Sequence, residues 1–159
     1  MKYCTHCGAE MLDDAVVCPN CGSPIPPAVK LTDNRNLLEF FLLSCVTFGI
    51  YGIVVLSQIS REINTVASKY DGKETMHYCW AVFLFAPLTF GLFYLVWFHM
   101  LSARISDELK RRNIDYEFGA KTFWLWGVLG AFIIAGPFVY LDKLLNSMNL
   151  LAADYNAKG

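Results

Sequence analysis

The chain has 159 residues, of which 55% are hydrophobic, 15% aromatic and 17% charged, and its mean hydropathy is +0.38. Ordinary soluble domains carry about 25% charge, so disorder and a highly charged scaffold are both excluded. The formal net charge of −1 offers no overall electrostatic case for nucleic acid as a partner.

The first element is a cysteine module. Cys4-Thr5-His6-Cys7-Gly8 is followed, ten residues on, by Cys18-Pro19-Asn20-Cys21-Gly22. Two Cys-x-x-Cys-Gly turns at this spacing fit a structural zinc site, with Cys4, Cys7, Cys18 and Cys21 completing a tetrahedron and no position left open for catalysis. Four thiolates would hold iron by the same geometry, and spacing alone does not separate the two metals. Ligand type favours a single structural zinc ion. His6 lies between ligands in a shell already full, so it reads as an exposed loop residue. A module of residues 1–23 is too small to fold on apolar burial, so the metal is expected to supply its folding energy. Its two lysines face three acids within residues 1–30, which argues against phosphate contact and for a protein partner. Thiolate ligation implies reducing surroundings, so the N-terminus is expected to face the cytoplasm.

Residues 24–36 form the linker, opened by the proline-rich segment SPIPPAVK at 23–30. Three apolar runs follow, at Phe40–Leu56, Tyr78–Leu101 and Phe123–Leu141, and His99 is the only titratable side chain in them apart from Cys and Tyr. With flanking residues they suggest segments of about 37–58, 78–101 and 122–141, near the ~20 residues a membrane-spanning helix needs. The expected fold class is therefore mainly α: a helical integral membrane protein with three kinked transmembrane segments, amphipathic extensions and an N-terminal zinc ribbon, residing in the cell membrane as a multi-pass protein.

Each run continues into a polar tail of helical period: Ile59, Ile63, Val66 and Tyr70; Ile105 and Leu109; Leu144, Met148, Leu151 and Tyr155. These tails read as solvated helix ends with one face on headgroups. The Glu108–Arg112 pair reads as part of such a solvated face.

The runs also repeat. Residues 40–63 set against 82–105 share eight of 24 positions, including Thr47-Phe48-Gly49 against Thr89-Phe90-Gly91. A looser third copy places Asn64 on Asn149 and Tyr70 on Tyr155. Thr47, Gly49, Thr89 and Gly91, with Gly136 and Pro137 in the third run, are candidates for helix breaks or packing, since glycine weakens a helix and a threonine hydroxyl can bond the freed carbonyl. Three single crossings would point successive copies in opposite directions. Re-entrant hairpins hinged at these breaks would point them the same way, and the repeat leaves both arrangements open.

No serine–histidine–aspartate order, phosphate loop or His-Glu-x-x-His stands in the chain, so no enzymatic activity is expected. His99 is the one candidate intramembrane polar group, although its place near the end of its run suits an interfacial histidine. Trp97, Trp124 and Trp126 read as interface anchors.

The first 26 residues, MKYCTHCGAEMLDDAVVCPNCGSPIP, resemble the bacterial double-knuckle zinc ribbons, and the resemblance implies zinc ligation by the same four cysteines. The remainder resembles a bacterial membrane family, domain of unknown function 4234, through TFGIYGI at 47–53, ELKRR at 108–112, FWLWGVLG at 123–130, GPFVY at 136–140 and MNLLAADYN at 148–156. Val54-Val55 stands where that family leads one to expect a Tyr-Trp pair. Neither resemblance implies an activity. The expected function is that of an interaction, scaffold or regulatory protein, with the lipid bilayer and a cytoplasmic protein as partners and a homo-oligomer also admissible. The alternative is a component of an oligomeric transporter or channel, with a path near Thr47, Thr89 and His99.

Overall fold

The apolar runs do not form continuous helices; each turns back on itself. This is the central feature of the computed structural model, which describes the chain apart from residues 1, 5, 13, 14, 16, 25–29 and 159 and the side chains of residues 2 and 11. The proline-rich part of the expected linker lies mostly outside the described residues. The chain forms two compact units, Met1–Lys30 and Leu31–Gly159.

In the first unit, β1 (Lys2–Tyr3) pairs antiparallel with β2 (Glu10–Met11), and Val17 bridges Pro24 in a second short hairpin.

The second unit is built from three helical hairpins. Asn36 caps α1 (Leu37–Val46) by accepting the Leu38 N–H at 2.8 Å. The chain then reverses over Thr47-Phe48-Gly49 into α2 (Ile50–Asp71). Gly49 takes the left-handed φ of 88° that this reversal requires, where a side chain would be strained. Thr47 Oγ1 donates to the Leu43 carbonyl at 2.7 Å and accepts the Tyr51 N–H at 2.9 Å. The Phe48 and Gly49 N–H groups reach the Cys45 and Ser44 carbonyls at 3.3 and 2.7 Å.

The second hairpin repeats this bond for bond. Its descending arm comprises α3 (Tyr78–Trp80), a π turn at Ala81–Phe85 and α4 (Ala86–Leu88). After Thr89-Phe90-Gly91 the chain returns as α5 (Leu92–Arg111). Thr89 Oγ1 donates to Phe85 at 2.8 Å and accepts the Phe93 N–H at 3.0 Å, and the Gly91 N–H reaches Ala86 at 2.8 Å. The third hairpin descends through α6 (Ala120–Thr122), a π turn at Phe123–Val128 and a 3-10 turn at Leu129–Ile133, then returns as α7 (Gly136–Lys158). Gly136 lies backbone to backbone against Gly130, leaving no room for a Cβ on either.

The expectation of three transmembrane segments is thereby overturned. No helix among the described residues is long and apolar enough to cross a membrane. The physical reason is the reversals: α1 has only 10 residues, and α2, α5 and α7 become amphipathic within a few turns of their starts. A multi-pass location in the cell membrane falls with it.

The core lies in the polar-looking tails. Ile59, Ile63, Leu101, Ile105, Leu109, Leu144, Met148 and Leu151 are all at most 1% exposed and pack where α2, α5 and α7 meet. The helices run in the same direction. Asn64, Ser68 and Asp71 of α2 bond Arg104 of α5. Ser102 and Arg112 of α5 bond Tyr140 and Asp154 of α7 in the same order along both helices. Val66 of α2 packs with Ala152 of α7. The internal repeat is thus a layered one: Ile59, Leu101 and Leu144 fall at offsets of 42 and 85 residues and share the core, as do Ile63, Ile105 and Met148. Since all three return helices start at a reversal and run in parallel, all three reversals lie at one end of this unit. Phe41 of α1 meets Phe138 of α7 at that end, ring centroids 5.4 Å apart.

Candidate metal centre

Each knuckle of the first unit is set by backbone bonds before any metal is considered. The Gly8 N–H reaches the Cys4 carbonyl at 2.8 Å, and the Gly22 N–H reaches the Cys18 carbonyl at 2.9 Å. Cys4 and Cys18 donate their own N–H groups to Ala9 and Ser23 at 2.9 and 3.0 Å. Gly8 and Gly22 hold φ of 72° and 67°, so both turns use the freedom that glycine alone has without strain. The two loops are therefore near copies, each aiming two sulfurs inward.

The sulfurs converge. Cys4 Sγ lies 3.7 Å from Cys21 Sγ, Cys7 Sγ lies 3.6 Å from Cys18 Sγ, and all four lie within 4.8 Å of one another. A tetrahedral zinc with bonds of about 2.3 Å puts its sulfurs about 3.8 Å apart, so the cluster has the dimensions of a single ion's shell. Cys4 and Cys18 are buried against Ala9 and Ala15, while Cys7 and Cys21 form the exposed side of the same cluster.

The electrostatics point the same way. The Ser23 hydroxyl and backbone N–H lower the Cys21 thiol to about 6. Backbone N–H groups of Cys7 and His6 lower Cys4. The Ala9 N–H also pulls Cys7 down, but the neighbouring Cys21 sulfur and burial outweigh it and hold Cys7 at about 11. Four sulfurs so close compete for negative charge, and a divalent cation removes that competition. The arrangement binds one metal ion, consistent with one structural zinc. His6 is exposed.

The other singled-out residues lie in the helical unit. Thr47, Gly49, Thr89 and Gly91 form the first two reversals, and Gly136-Pro137 opens α7 directly after the third. The two threonine hydroxyls are taken up by their own turns. His99 is exposed, and its Nδ1 accepts the Trp124 Nε1–H at 3.1 Å. Trp97 is not an interface anchor: it is 3% exposed, and its Nε1–H donates to the Met76 carbonyl at 2.9 Å. Glu108 and Arg112 are not a solvated pair either. Their side chains are 4% and 5% exposed, bonded at 2.7 Å, and Arg112 continues to Asp154 at 2.7 Å.

Several polar residues escape a reading by motif. The Asn149 amide clamps the backbone of Arg35, accepting its N–H at 3.0 Å and donating to its carbonyl at 2.8 Å. Asn64, its counterpart in the repeat, clamps Thr75 in the same way at 2.7 and 2.9 Å. Both amides fix the segment leading into a descending arm. The match between Asn64 and Asn149 was the signal for this role. Arg104 carried no such signal, yet it ties Asp71 at 2.7 Å to Thr75, Ser68 and the Lys73 carbonyl.

Residues 3–25 match the model of a zinc-ribbon domain, and residues 35–107 match that of a Domain of unknown function (DUF4234). The second match spans the first hairpin and most of the second, ending within α5. No curated protein and no solved structure matches the chain. In chain order, then, the zinc-ribbon match precedes the DUF4234 match.

Proposed function

We propose that this zinc ribbon joined to a DUF4234 domain is a non-catalytic interaction protein whose ribbon docks a protein partner. The observation that carries this reading is a metal-closed module with apolar side chains left on its outside. Tyr3, Leu12 and Val17 are 66%, 70% and 52% exposed, unusual for a unit with so little apolar material to bury. A full thiolate shell leaves the metal no open position for substrate, so its role is to hold that surface in shape. The slight acidic excess of residues 1–30 favours a protein over a nucleic acid.

The test is crosslinking in cells that make the full chain, comparing wild type with Cys4→Ser/Cys7→Ser and with Tyr3→Ser/Leu12→Ser/Val17→Ser. The expected result is one defined crosslinked partner, lost in both variants while the surface variant still holds stoichiometric zinc. A partner retained by both would remove the ribbon from the interaction.

A further inference from the structure

The reversal end of the helical unit presents side chains that no part of the fold uses. Phe48 is 97% exposed, Phe90 100% and Ile134 81%. These residues also hold a positive φ, of 52°, 49° and 42°. A bulky non-glycine residue in that region is strained, and full exposure to water returns nothing for it. The tips are built for surroundings other than water.

Three observations identify those surroundings. The first is charge. Residues 40–60 contain no charged side chain, residues 78–103 contain only His99 among Asp, Glu, Lys, Arg and His, and residues 122–141 contain none of these five. The ion pairs sit in the other half of the unit, at Arg35–Glu62, Arg104–Asp71 and Arg112–Asp154. The second is length. α1 has 10 residues, about 15 Å of helix, which matches half of a bilayer's hydrocarbon core of about 30 Å. Trp80 and Trp124 are exposed on the descending arms ten residues before Phe90 and Ile134, at the depth where tryptophan anchors to headgroups.

The third is the backbone at the tips. Non-helical chain in hydrocarbon is costly because its N–H groups find no partner. Here the N–H groups of residues 47–51 are all bonded within the turn, the last to the Thr47 hydroxyl, and those of residues 89–94 are bonded likewise. A reversal that satisfies its own donors can leave water.

We propose that the three hairpins insert their reversal ends into one leaflet of a lipid bilayer, to about half its depth, without crossing it. A bilayer suits the patch better than a second copy of the chain. Apolar side chains are exposed on each of the three hairpins, as at Val46, Leu88 and Phe132, so the shell surrounds the end of the unit rather than forming one face.

The experiment uses the full-length zinc-loaded chain and vesicles of phosphatidylcholine with phosphatidylglycerol. Flotation of the wild type is compared with Phe48→Asp/Phe90→Asp/Ile134→Asp. Side chains so exposed contact little of the fold, and circular dichroism checks that helicity is kept. Partitioning is expected to fall by about a hundredfold or more, since three apolar tips are lost and three charges gained. A spin label at Phe90→Cys, with Cys45 and Cys79 replaced by alanine, is expected to report a depth near the bilayer centre. Thiols at Lys73→Cys and Lys158→Cys are both expected to react with an impermeant reagent added outside the vesicles. Equal flotation of the triple variant would overturn the proposal. So would a protected Lys158→Cys, or a tip-dependent dimer of the wild type that ignores vesicles.

Discussion

Arg104 carries much of the cohesion between the first two hairpins. It is 9% exposed, and through Nε, Nη1 and Nη2 it reaches Asp71, Asn64, Thr75, Ser68 and the Lys73 carbonyl, joining α5 to α2 and to the segment that follows α2. Removing one partner from such a cluster leaves the others unpaired, which costs more than the pair itself contributes. Arg104→Met is expected to lower stability by about 2–4 kcal/mol, measured by urea unfolding of the full chain. Arg104→Lys should recover little, because an ammonium cannot reproduce the guanidinium fork. The hydrogen bond from Arg104 holds the Asp71 carboxyl below its ordinary 3.8. A folded-state value below the unfolded one means the stabilisation is fully present above pH 3.8 and is lost as pH falls through the lowered value. The acid arm of a stability profile should therefore flatten in Arg104→Met.

At the scale of the element, the hairpin reversal is the unit of design. Its threonine acts twice, donating to a carbonyl four residues back and accepting an N–H four residues on. Thr47→Val or Thr89→Val keeps the shape and removes both bonds. Each is expected to cost about 1–3 kcal/mol and to raise amide exchange at Tyr51 or Phe93, read by hydrogen–deuterium exchange. The repeated Thr-Phe-Gly pointed to an interruption in the helix, because glycine and threonine have identifiable local effects. Whether the chain bends or turns fully back depends on what the two arms touch afterwards, and a single segment does not contain that. Run length misled for the same reason: Phe40–Leu56 is long enough when counted in sequence, and is divided at Thr47–Gly49 in space. The ribbon was far more legible. Ligand type, loop length and the glycine after each knuckle are all local, so the site can be read without knowing the rest of the fold. Chelation of the metal is expected to abolish amide protection across residues 3–23 and to leave the helical signal of residues 37–158 unchanged, followed by exchange and far-ultraviolet circular dichroism.

At the scale of the whole molecule, the amphipathic tails form the buried centre and the most apolar segments lie outside it. Periodicity found the core residues in the tails, from Ile59 and Ile63 to Met148 and Leu151, and assigned them to the wrong neighbours. The tails had no visible partner in the linear chain, since each packs on copies of itself 42 and 85 residues away. The Glu108–Arg112 pair was misplaced for a related reason: Asp154, its third member, belongs to another helix.

Asn156 accepts the Leu31 N–H at 2.8 Å and donates to the Leu31 carbonyl at 2.9 Å. The segment that leads into α1 is thus stitched to the last turns of α7, and the topology of the helical unit is nearly a closed ring of three repeats. Such a ring has no privileged starting point. A circular permutant of the unit, joined from residue 157 to residue 31 by a short polar bridge and opened in the 113–117 connection, should keep its helicity and its cooperative unfolding.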